Sequence, residues 1–182
     1  IGTFSCDAGT VDATNILLGH SISGNANAVG TTQGTLNIGG TANLLADTIT
    51  VADEDDTAAG RDAEGRLNLT GGSLRAAVIQ RGDDDGDGTG VSELNWSAGT
   101  IGNKLGGDMN ISGVDVILQT AAAHPFDAED DQTITVESVI SGGSGGVVKQ
   151  GLGTLVLNAD NTYTGGTDVE QGMLVVDGSL AG

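Results

Sequence analysis

Cationic side chains are scarce in this chain: six Lys and Arg stand against 25 Asp and Glu, a formal net charge of −19 over 182 residues. A surface that negative repels phosphate backbones and anionic headgroups, so nucleic acid and anionic membrane faces are disfavoured as partners and divalent cations are the natural counter-species. Cysteine occurs once, as Cys6, which rules out an internal disulfide. Proline occurs once, as Pro125. No apolar run approaches the ~18 residues of a membrane helix. Helical periodicity is weak throughout; "TNILLGH" (Thr14–His20) could form one turn, but Gly19 argues against it. The chain opens on "IGTFSCDAGT", without initiator Met, basic n-region or apolar h-region, and reads as a mature or excised piece.

Glycine, by contrast, is abundant: 32 of the 182 residues, where an average protein has ~7%. The glycines keep no period of three, which excludes collagen. Val, Leu and Ile recur in regular short runs, which a disordered chain of this glycine content would lack. Glycine therefore reads as turn punctuation in one folded, strand-rich domain.

Laid on itself, the chain repeats. "GTFSCDAGTV" (from Gly2), "GTLNIGGTAN" (Gly34), "GRLNLTGGSL" (Gly65) and "SELNWSAGTI" (Ser92) align, with first apolar residues Phe4, Leu36, Leu67 and Leu94 stepping by 32, 31 and 27. Such a period, varying only in its connecting segments, predicts a solenoid. Within a unit the period is two: Leu67 and Leu69 share one face, Asn68 the other. A Gly corner leads to a second strand at Leu74 and a third around Val78 and Ile79, making one coil of a parallel β-helix with roughly three short strands. Stacking predicts an inward column Phe4, Leu36, Leu67, Leu94 and another of Cys6, Ile38, Leu69, Trp96. Cys6 is then a buried, inert thiol and Trp96 a core residue rather than a sugar platform. The outward column Ser5, Asn37, Asn68, Asn95 predicts an amide ladder.

Acid collects in the connections. "VADEDDTAAGRDAEG" and "RGDDDGDGTGVSE" occupy the same place in the repeat, so Asp53–Asp56 and Asp83–Asp87 should share one edge; Asp127–Asp131 forms a further cluster. Asp83, Asp85, Asp87 and Gly88 match the opening of a calcium loop, but position twelve is Leu94, a core residue, and Glu93 falls at eleven. That excludes an EF-hand. It leaves a looser Ca²⁺ site on Asp83, Asp85, Asp87 and Glu93, or a solvated acidic turn. "RGD" (Arg81–Asp83) is too short a match to carry weight.

"VISGGSGGVVKQGLGTLVLNADNTYTGGTDVEQGMLVVDGSLAG", Val139 to Gly182, resembles the autotransporter-associated β-strand repeat, also called the passenger-associated transport repeat. The matching pieces are Gly-Gly before an apolar-Lys-x-Gly step, then "GTLVLNADNTYTGGT", then "GMLVVDG". The resemblance implies a right-handed parallel β-helix in a large secreted or surface-displayed bacterial protein, and a repeat that aids passenger folding or export. No catalytic residue belongs to the repeat. The upstream units resemble the divergent coils that precede it. The expected organisation is a single solenoid over 1–182: divergent coils at 1–102, an irregular coil at 103–138 with "AAAHPFDAEDD" as a protruding loop, and the repeat at 139–182. Pro125 is expected in a loop or edge, and Leu155, Leu157, Leu174 and Val176 point inward.

The expected function is a non-catalytic rod, stalk or fibre segment outside the cell, its open ends met by flanking coils or by another copy. A calcium-dependent adhesin for a glycan or host surface is the alternative. A polysaccharide-degrading enzyme is a third, with calcium at Asp83–Asp87 and Arg75 or Arg81 as the basic group. His20 and His124 have no evident Ser or Cys partner and are expected in turns or loops. No cofactor is required.

Overall fold

The computed structural model describes residues 1–22, 30–55, 61–83 and 90–181. All regular structure among them is β, and every strand pairing is parallel. The first coil is β1 (Gly2–Cys6) and β2 (Thr10–Ile22), and the second is β3 (Gly30–Ile38) and β4 (Asn43–Asp55). β5 (Arg61–Arg81) forms the third, and β6 (Val91–Asn103) with β7 (Met109–Ser112) the fourth. The fifth is β8 (Asp115–Leu118), β9 (Ala123–Asp127) and β10 (Thr133–Val136). The sixth is β11 (Ile140–Gly142), β12 (Gly146–Gln150) and β13 (Thr154–Leu157). The seventh is β14 (Asp160–Asn161), β15 (Thr167–Val169) and β16 (Met173–Val176), and β17 (Ser179–Leu180) begins another.

Each coil contributes to three faces, so the longer strands of the early coils turn corners and serve more than one. The first face stacks Phe4, Leu36, Leu67, Leu94, Val116 and Ile140 in register. The second stacks Val11, Leu44, Leu74, Ile101, Phe126, Lys149 and Val169. The third stacks Ile16, Ile49, Ile79, Ile111, Val136, Leu157 and Val176. Most of these side chains are fully buried, each worth ~1.5–3 kcal/mol relative to exposure. The corner from first to second face needs a left-handed residue, and Gly9, Gly40, Gly72 and Gly99 supply it with φ of 84°, 51°, 67° and 93°. At Gly72 a Cβ would also lie 2.2 Å from the Ala42 carbonyl oxygen.

The early coils are longer because their third and first faces continue past the body. β2 stays paired with β4 out to Ile22 and Asp55, and β3 with β5 back to Gly30 and Arg61. These extensions meet at a waist where Gly19, Gly34 and Gly65 let the backbones approach closely. A Cβ on Gly34 would sit 2.2 Å from Gly19 N, and one on Gly65 would sit 2.6 Å from Ala52 N. Beyond the waist they form a two-layered flange that buries Ser21, Ala52, Glu54, Ala63 and Ser92. From the fifth coil onward there is no flange, and each turn returns to its column sooner, as from Leu157 to Val176.

The parallel β-helix is as the repeat predicts, and "TNILLGH" lies in β2. Three expectations change. Phe4 is 53% exposed and Cys6 partly so, because in the first coil only one side of each is covered. "AHPFD" is no protruding loop: it is β9, paired with β12 along its length. Pro125 fits because pairing with β6 starts only at Phe126, so its missing N–H interrupts no bond there. Finally, His20 and His124 are strand residues, and His124 is fully buried.

Candidate functional site

The acidic edge forms where the third face enters the flange. Asp53 lies beside His20 in the ladder, with Oδ2 2.9 Å from Nδ1, a close polar contact rather than an aligned hydrogen bond. Its Oδ1 accepts from Asp83 N at 3.1 Å, and Asp83 O accepts from Glu54 N at 2.9 Å. The two acidic connections therefore do start side by side. Glu54 turns into the flange and accepts from Ala63 N at 2.8 Å. Of the four residues read as calcium ligands, Asp85 and Asp87 lie outside the described residues. Glu93 is engaged on the first face, its Oε2 accepting from Arg66 Nε and Asn95 Nδ2, both at 3.2 Å. Among the described residues no group of three or more His, Cys, Asp or Glu is placed to hold a metal.

The scarce cations bind coils together. Arg66 bridges Glu64 at 2.8 Å and Glu93 at 3.2 Å, and the bond to Glu64 holds its pKa above the usual guanidinium value. Arg75 reaches from the third coil to the fifth, pairing with Asp127 at 2.5 Å and Glu129 at 3.3 Å. Its path crosses Gly102, where a Cβ would stand 2.8 Å from Arg75 Nη1. Lys104 folds back to Asp47 at 2.7 Å and Asp12 at 3.1 Å, bonds that raise its pKa. The carboxylates around Arg75 are thus its ion-pair partners across coils.

The amide ladder is present and runs further than its motif. Asn37 donates to Ser5 Oγ at 3.0 Å, Asn68 to Asn37 at 2.8 Å, and Asn95 to Asn68 at 3.2 Å. Gln119 then donates to Asn95.

The last coils place polar groups inside the apolar columns. Lys149 stacks on Phe126 and is fully buried. Its Nζ donates to the corner carbonyls of Gln150 (2.5 Å), Gly151 (2.8 Å) and Gln171 (3.4 Å). Burial pushes its pKa down, partly offset by Asp127. Asn161 accepts from Ile140 N at 2.8 Å and donates to Ala159 O at 2.9 Å and Ser179 O at 3.3 Å, joining three coils. Tyr163 is buried with its hydroxyl 2.7 Å from Thr167 Oγ1, and burial raises its pKa. His124 donates through Nδ1 to Gly146 O at 3.2 Å, beside the rings of Trp96 and, through Trp96, Phe126. Sequence reasoning missed the inward turn of Lys149. The alternation Val147, Val148, Lys149 after a Gly pair was the available signal.

Residues 147–176, which hold Lys149, Asn161 and Tyr163, match the passenger-associated-transport-repeat family. Over 39 residues the chain is 56% identical to an extracellular serine protease of Serratia marcescens, a match covering 21% of this chain and 4% of that protein. No solved structure matches.

Proposed function

We propose that this chain is a non-catalytic rod segment of a secreted or surface-displayed bacterial protein, with a passenger-associated transport repeat as its C-terminal coils. The observation that carries the reading is the use made of charge: Arg66, Arg75 and Lys104 each join coils, and Lys149 closes the interior of the repeat. A lyase or hydrolase needs such groups facing substrate. The name of the Serratia protein supports secretion; its proteolysis belongs to a molecule of which the match covers 4%. The exposed edges at Phe4 and at Met173 and Val176 are surfaces for further coils. A flanged, long coil at one end and a short, flangeless coil at the other give those ends unequal outlines, which favours flanking coils over head-to-tail stacking of copies.

The test is turnover of a panel of acidic and neutral polysaccharides and peptides, with calcium and with chelator. No turnover is expected in either condition, and hydrolysis or elimination of any member would overturn the reading. If calcium raises the melting temperature and Asp85→Ala abolishes the rise, the calcium-dependent adhesin takes its place.

A further inference from the structure

Where a coil enters its first face, the residue at the waist reports what crosses it. Gly2, Gly34, Gly65 and Ser92 stand in register there. A Cβ on Gly34 would meet the end of the first coil's third face, with Gly19 N at 2.2 Å and Leu18 C at 2.9 Å. One on Gly65 would meet the second coil's Ala52 N at 2.6 Å. In the fourth coil Ser92 is buried, its hydroxyl donating to Val51 O at 3.3 Å. The fifth coil follows a third-face strand that stops at Ser112, and there the same position, one before Asp115, holds Val114. Glycine or serine thus goes with a flange strand in the coil before, and valine with its absence.

Gly2 keeps the glycine without the strand. It lies in β1 with no left-handed φ, and a Cβ on it would meet nothing within 4 Å. Two further observations fall at the same end. Phe4 and Leu17 are 53% and 47% exposed, beside an open groove of about 380 Å³ that also takes in Leu18 and Gly19. The amide ladder also has a direction, because Asn37, Asn68 and Asn95 each donate to the coil before. Ser5 accepts from Asn37, which leaves its own hydroxyl proton for an acceptor one coil earlier.

We propose that the open end at Gly2 docks a further solenoid coil of the flanged kind, whose third-face strand runs past its body and lays its backbone over Gly2. This rests on the reading of the open ends as surfaces for further coils, and names the kind that fits this one. Such a coil turns through a left-handed residue at the waist, as Gly19 and Ala52 do with φ of 68° and 56°. It covers Phe4 with an apolar side chain and sets an amide or hydroxyl oxygen over Ser5. The C-terminal end of a second copy does not meet this description. Its third-face strand ends at Val176 and the chain turns at once, Asp177 N and Gly178 N donating to Leu157 O at 3.0 and 3.2 Å. No strand remains there to cross the waist.

The experiment fuses one of two coils ahead of Gly2 in place of Ile1: a copy of residues 34–64, which is flanged, or of residues 114–137, which is not. The two fusions and the unfused chain are each melted with Gly2 and with Gly2→Val, followed by circular dichroism. Stability in stacked repeats grows with each docked neighbour. The flanged fusion is expected to melt at least ~4 °C above the unfused chain, and Gly2→Val to remove that gain. In the unfused chain Gly2→Val should move the melt by no more than ~2 °C. A Gly2→Val that costs the unfused chain as much as the flanged fusion overturns the proposal, because the glycine then serves the chain as it stands. A flangeless fusion that gains as much, with Gly2→Val harmless in both fusions, overturns it too but leaves the end a surface for further coils. If neither fusion melts above the unfused chain, both readings of this end fall.

Discussion

The first four coils and the last three obey one stacking rule by different means. The early coils have aliphatic columns, an external amide ladder and a flange that lengthens each turn. The late coils drop the flange, shorten, and put Lys149, Asn161 and Tyr163 inside. The difference teaches that repeat length is set outside the body, by how far two faces run past the waist. Local register is fixed by whichever polar groups sit where only one partner can meet them. An aliphatic column tolerates small slips, whereas an ammonium among three carbonyls does not.

The largest effect should come at the waist. Gly65→Ala forces a Cβ against backbone on both sides, Ala52 N at 2.6 Å and Leu18 O at 2.7 Å. It should cost about 3 kcal/mol or more by urea denaturation. If flange and body are separable, limited proteolysis of this variant will cut within the flange while the late coils stay protected. Uniform digestion would mean that the two regions unfold as one.

Next is Asn161→Leu, which restores the apolar column of the early coils but strands Ile140 N and Ser179 O. A loss of about 1–3 kcal/mol is expected despite the gain in apolar volume. A more stable variant would show that the late coils need no polar fixings.

Lys149→Met should cost less, about 1–2 kcal/mol at neutral pH, since Met fills the volume but leaves the corner carbonyls unmet. The pH dependence gives a second reading. Burial holds the folded pKa of Lys149 below its unfolded value, so the unfolded chain binds the extra proton. Its contribution to stability therefore rises as pH climbs from the lowered folded pKa through the ordinary lysine range. Lys104 acts oppositely: its raised pKa favours the folded state below the ordinary range and is lost above it. Comparing wild type with Lys149→Met at pH 7 and pH 10 cancels Lys104, and the gap between them should widen at the higher pH.

These contrasts also mark how far the sequence could be read. The column Phe4, Leu36, Leu67, Leu94 was legible because each member sits in a recurring phrase, and its ladder of Asn37, Asn68 and Asn95 came with it. Its continuation through Val116 and Ile140 was not, because the loss of the flange shortens the steps from Leu94 to Val116 and on to Ile140 and removes the phrase. Pro125 and His124 disguised β9, since neither favours a strand out of context; burial against Trp96 outweighs that preference. The shared acidic edge was legible as far as Asp53 and Asp83. Spacing along the chain assigns Glu93 to that edge, whereas strand alternation turns it toward Arg66.

Register columns of this kind make the molecule a ruler. Joining the chain before Leu155 to the chain at Leu174 would set Ile134 beneath Leu174 and shorten the stack by one graduation of ~4.8 Å, the columns below unbroken. Length can thus change in whole steps without redesign of what remains. Arg75 and Lys104 are exceptions, since each grips a coil that is not its neighbour. They mark the interval, from the first coil to the fifth, in which a graduation cannot be added or removed without losing a bond.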